Sequence, residues 1–162
     1  FTEDFANIPT NRSLRVSWFR TDIYKNLGLP RSGACQMIRK RKYSKITVPK
    51  FSDAILLDGK SHAEIANIFN TTEIFYCHDP YTTYAYYAVL CGCIPVITPQ
   101  PGLSAEDWRN GMDLKYGIAY GNEEIDWARR TSSKLISYMA AEEKRDTASV
   151  LRFLNTLGPI FG

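Results

Sequence analysis

Apolar and polar positions alternate between two periods along this chain, short unbroken apolar runs and longer stretches of helical spacing, and the switch is densest between Glu73 and Thr98. EIFYC and CIPVIT are apolar and β-prone at the two ends of that stretch, which predicts buried strands of a parallel sheet. Between them the pattern predicts an amphipathic helix, started by Asp79 as N-cap with Pro80 at the first helical position, and stopped by Gly92. ACQMI, AILLDG and YGIAYG are further strand-like runs. SHAEIANIFN predicts a helix opened by Ser61, with Glu64 three residues on as a capping box and Ile65, Ile68 and Phe69 on the buried face. SAEDWRNG predicts one helical turn within a polar loop.

Nearer the ends the pattern thins. SLRVSWF alternates in the β manner, and DIYKNLG predicts a short helix ended by Gly28. From about Asn122, Ile125, Ala128, Leu135, Ile136 and Met139 recur at helical spacing, and AEEKRD is expected to be the polar exit of that helix. A separate last helix is expected over TASVLRFLNTLG, with Val150, Leu151, Leu154 and Leu157 on one side to pack on the sheet or on an absent partner. Strand and helix alternate from Ala34 onward, so the fold class is α/β, a mainly parallel sheet with helices on both faces. Residues 1–30 are expected to form a linker or edge segment and residues 31–162 the domain itself.

Length and composition narrow the classes. At 162 residues the chain suits one well-buried core rather than two ordinary domains. No apolar run reaches the ~18 residues of a membrane span, and a net charge of +3 is too mild to announce nucleic acid. The chain opens on Phe1 rather than Met, so a piece of a longer protein is expected. Cys35, Cys77, Cys91 and Cys93 have no zinc spacing, and the close Cys91-Gly92-Cys93 disfavours a disulfide, which points to reduced core residues and a cytoplasmic protein. Asn11-Arg12-Ser13 and Asn70-Thr71-Thr72 are glycosylation sequons, of little weight without a secretory signal.

Candidate chemistry gathers where strands end. RKRKYSK puts Arg39, Lys40, Arg41, Lys42 and Lys45 just past ACQMI, as a solvated loop or as a cation clamp for phosphate. A helix N-terminus past a parallel strand suits an anion, which directs attention to His78, Asp79, Tyr81, Thr82 and Thr83. Asp58 and His62 flank the preceding strand-to-helix turn. Gly59-Lys60-Ser61 imitates the end of a P-loop, but Ala54 stands where the earlier glycine is required, and GxGxxG occurs nowhere.

The order of HDPYTTY, helix and GCIPVI, preceded by SHAEIANIFNTTEIFYCHDP, resembles the C-terminal, donor-binding half of GT-B glycosyltransferases from about Ala34 to Gly121. That resemblance implies a Rossmann-like domain binding a nucleotide diphosphate sugar, with a sugar or glycan acceptor and an acceptor domain N-terminal to it. It implies no metal and no cofactor beyond the donor substrate, and no catalytic base within this chain. Arg39 and Lys45, with Lys42 or Lys40 as substitutes, resemble the residues that hold the donor diphosphate. Asp79 falls at the family's first acidic position, and Tyr87 stands where a second acidic residue normally accepts from ribose hydroxyls. The alternative expectation is a non-catalytic α/β module for nucleotide sensing or interaction.

Overall fold

A computed structural model describes residues 16–38, 53–110 and 114–161 of the chain, with side chains to residue 155. Five strands, β1 (Ala34–Met37), β2 (Ile55–Leu56), β3 (Ile74–Cys77), β4 (Ile94–Ile97) and β5 (Ala119–Tyr120), form one sheet in the order β2-β1-β3-β4-β5. Every pairing is parallel. Helix α1 (His62–Thr71) joins β2 to β3 and helix α2 (Thr83–Cys91) joins β3 to β4. A short helix α3 (Ala105–Arg109) lies between β4 and β5, and a 3-10 turn (Asn122–Glu124) leads into helix α4 (Ile125–Phe161). This is the α/β fold with a parallel sheet that the alternation of periods predicts.

The chain divides into two compact units: residues 20–138, which hold the sheet, and residues 1–19 with 139–162. In the second, the Ser17 N–H donates to Asp146 Oδ2 at 2.6 Å, and Leu151 and Leu154 are exposed.

Register sorts the sheet into two faces. Cys35, Phe75 and Pro95 stand side by side, as do Met37, Cys77, Ile97 and Tyr120, and all are buried. Helices α1 and α2 cover this face, with Phe69 of α1 against Phe75 at 5.0 Å between ring centroids. On the other face Val96 and Ala119 pack with Ala128 of α4, joined by Ile74, Tyr76, Ile94, Ile125 and Trp127. Pro95 sits in an inner strand, where a missing N–H is normally costly. The Ile94 and Thr98 N–H groups donate to Glu73 O and Cys77 O at 2.9 Å each, so position 95 faces the β5 side, and β5 begins only opposite Val96. No ladder bond is lost there.

Three local expectations are corrected. Residues 21–23 make a turn, not the start of a helix through Gly28. The reason is Asn70, whose Oδ1 accepts from the Leu27 N–H at 2.8 Å and whose Nδ2 donates to Lys25 O at 3.0 Å. Those side-chain bonds take the backbone groups a helix would use. Residues 16–20 carry no strand either; the start of SLRVSWF, with Leu14, lies outside the described residues. AEEKRD does not end a helix: α4 runs through it, because every residue there is helix-compatible and no Gly or Pro interrupts. Thr147 and Ser149 donate back to Glu143 O and Arg145 O at 2.9 Å, the intrahelical bonding that lets hydroxyl residues sit mid-helix.

Candidate functional site

All strands point their carboxyl ends to one edge, and the turns leaving β2 and β3 there carry most of the sequence-identified residues. Asp58 follows β2: its Oδ2 accepts from the Ile38 N–H at 2.8 Å, tying the end of β1 to the end of β2, while its Oδ1 is buried without a hydrogen-bond partner among the described residues. Arg39, Lys42 and Lys45 lie outside the described residues.

Beyond β2, α1 opens with the capping box its sequence predicts. Ser61 Oγ accepts from the Glu64 N–H at 3.4 Å, and Glu64 Oε2 accepts from Ser61 N–H at 2.8 Å and Ser61 Oγ–H at 2.6 Å. The Ser61 bonds hold the Glu64 carboxyl below its ordinary range. A carboxylate therefore already occupies the positive end of α1.

The turn beyond β3 differs. Asp79 is not the N-cap of α2: Thr82 is, its hydroxyl accepting from the Tyr84 N–H at 3.4 Å. Asp79 Oδ1 accepts instead from the Tyr81 N–H at 3.2 Å, the bonding of an Asx turn, and the helix begins three residues later than Asp79-Pro80 predicts. The cause is tertiary. Trp108 Nε1–H of α3 donates to Pro80 O at 3.2 Å, which draws that carbonyl out of the helical path. The α2 first turn holds no acidic residue, so no carboxylate closes it from within as Glu64 closes α1, and the nearest is that of Asp79 before the cap. Tyr81, 67% exposed, and Thr83 face solvent beside it, and Gly92 closes the other end in the left-handed region at φ 84°, as the sequence predicts.

His78 is buried, and its Nδ1 shares a hydrogen bond of 2.7 Å with Thr98 Oγ1, linking the ends of β3 and β4. Tyr120 continues the edge: its ring stacks on Trp108 with centroids 5.2 Å apart, its O–H donates to Leu103 O at 3.0 Å, and its oxygen accepts from Gln100 N–H at 2.8 Å. Thr98, Trp108 and Tyr120 were not candidates from sequence, because loop spacing carries no sign of which strand ends become neighbours.

Tyr87 leaves the ligand edge for the core. It is only 8% exposed and stacks on Tyr24 with centroids 4.1 Å apart and planes 5° off parallel. Tyr24 in turn shares a 2.6 Å hydrogen bond with His62 Nδ1, and His62 stacks on Tyr84. Burial pushes the phenols of Tyr24 and Tyr87 up, so both stay protonated at neutral pH. Tyr87 thus contributes to the seam between α1 and α2 and does not replace a ribose-binding carboxylate.

The four cysteines are free and buried, as expected. Burial pushes the Cys91 thiol up to about 12, and burial beside Cys35 raises Cys93 well above its ordinary value, so neither supplies a thiolate nucleophile at neutral pH. Among the described residues, no group of three or more His, Cys, Asp or Glu is arranged to hold a metal ion, and no helix is long and apolar enough to cross a membrane.

No protein-family model, curated protein or solved structure matches this chain.

Proposed function

We propose that this chain is the donor-binding domain of a GT-B-like glycosyltransferase, which takes a nucleotide diphosphate sugar at the carboxyl edge of the sheet and delivers the sugar to an acceptor held by another domain. One observation carries the reading. Helices α1 and α2 both begin at that edge, and α2, next to His78, Asp79 and the exposed Tyr81 and Thr83, has an N-terminus with no acidic residue in its first turn. A diphosphate there would accept from helix amides and complement the dipole. As the bond to the sugar breaks, negative charge builds on the departing nucleoside diphosphate, and the same fixed dipole stabilises it without reorganising. Asp58, with one buried oxygen unpartnered among the described residues, is the carboxylate best suited to ribose hydroxyls now that Tyr87 belongs to the core. Arg39, Lys42 and Lys45 remain the proposed diphosphate clamp, and the acceptor and its base belong to the partner domain.

The experiment is calorimetric titration with UDP, GDP and dTDP of the wild type and of Thr82→Asp. Aspartate caps a helix as well as threonine does, yet it places at α2 the anion that α1 already carries. The variant should keep its fold and bind the preferred nucleotide about tenfold or more weakly, a loss of roughly 1.4 kcal/mol. Equal binding by both proteins, or none by the wild type, overturns the reading. A second reading, a nucleotide-binding module that transfers nothing, draws support from Tyr87, since the residue at the family's second acidic position is buried. Nucleotide binding without release of sugar from any nucleotide sugar would favour it.

A further inference from the structure

On the β5 flank, an open cleft of about 630 Å³ lies between α3, the segment before β5 and the start of α4. Its size falls within the ~300–1,000 Å³ of small-ligand sites. Two half-buried aromatic rings line it, Tyr116 and Trp127, with centroids 6.2 Å apart and planes 30° off parallel. The rings are braced. The Arg109 guanidinium lies 4.4 Å from the Trp127 centroid, and Lys134 Nζ lies 5.2 Å from that of Tyr116. Arg109 is itself fixed by a two-bond salt bridge to Glu124, whose Oε2 also accepts from the Tyr120 N–H at 2.8 Å. Its Nε–H is buried and has no hydrogen-bond partner among the described residues.

Charge decides what such a cleft would accept. Three carboxylates (Glu106, Asp107, Glu124) line it against two cations (Arg109, Lys115), so it does not draw a polyanion. What it offers is an aromatic floor rimmed by donors and acceptors, among them the exposed Asn110, whose amide does both, and the half-buried Lys115, which donates. A pyranose matches that combination, with its C–H groups for the ring surface that Arg109 and Lys134 leave open to the cleft and its hydroxyls for the rim. Because Arg109, Glu124 and Trp127 hold one another in place before any ligand arrives, little ordering is left for binding to oppose.

We infer that this cleft is a saccharide-binding site for a neutral oligosaccharide, with Trp127 and Tyr116 as the platform and Asn110 and Lys115 as hydroxyl partners. It stands on the geometry of the cleft alone and does not require the nucleotide site on the edge. The test is a printed array of neutral oligosaccharides, followed by calorimetric titration of the best binder with wild type, Trp127→Ala and Asn110→Ala. Trp127→Ala should weaken binding about tenfold or more; Asn110→Ala, on the surface and harmless to folding, should weaken it by about threefold. Addition of UDP should leave saccharide binding unchanged. No binding to the array, equal affinity of wild type and Asn110→Ala, or displacement by UDP would each overturn the assignment.

Discussion

Helices α1 and α2 lie side by side on one face of the sheet, with 10 and 9 residues, and both begin at its carboxyl edge, yet their N-termini are finished differently. Ser61 and Glu64 close α1 with a reciprocal pair that ends in a carboxylate. Thr82 closes α2 with one long hydroxyl bond and no acid. The first arrangement spends the dipole on the protein's own anion; the second leaves it for another. Two helices of nearly the same length are thus closed differently through the choice of a residue three positions past the cap, and the proposed nucleotide site depends on that difference.

What the two helices share is their seam, and breaking it should have the largest effect. Tyr87→Ala removes a buried ring that stacks on Tyr24 and meets the α1 residue His62 edge-on. The expected loss is about 3–5 kcal/mol in urea unfolding, as for other buried aromatics. A loss under about 1 kcal/mol would return Tyr87 to the ligand edge. Breaking the α1 cap is smaller. Ser61→Ala should cost about 1 kcal/mol and leave nucleotide affinity unchanged, since α1 is the helix already closed. A matching drop in affinity would mean that both N-termini bind.

Acid gives the finest separation. Bonds from Ser61 hold the folded Glu64 carboxyl below its ordinary value of 4.5, so its contribution is fully present above that value and is lost as pH falls through the lower, folded one. The wild-type urea midpoint should therefore fall in that window more steeply than that of Glu64→Gln. The α2 first turn has no group to titrate there. Superimposable pH profiles for the two proteins would show that the carboxylate does not stabilise α1.

Much of this was legible locally. The apolar runs of β1, β3 and β4, the Ser61–Glu64 box and the Gly92 stop each depend on neighbours in sequence, and each stands where its residues predict. Failures came where a distant partner intervened. Asp79-Pro80 has the composition of a helix start, but Trp108, 28 residues on, holds Pro80 O. DIYKNLG has helical spacing, but Asn70, more than 40 residues away, bonds its backbone. Tyr87 stands where the resemblance implies a ribose contact, but it is buried and stacked on Tyr24. The cleft beside Trp127 was not legible at all, because it joins residues 105–110, 115–116 and 124–127, which no single motif spans.

Asn70 has one more consequence, for biosynthesis. Its side-chain amide is 1% exposed and fully used, accepting from Leu27 and donating to both Lys25 O and Ala66 O. The same residue opens the sequon Asn70-Thr71-Thr72, so a glycan attached at that nitrogen would displace the 20–31 segment from its seat on α1. Attachment and native folding exclude each other: an oligosaccharyltransferase could reach Asn70 only on the unfolded chain, and would trap the molecules it modified. Secretory expression should then yield two populations, a folded one bare at this position and a glycosylated one retained by quality control.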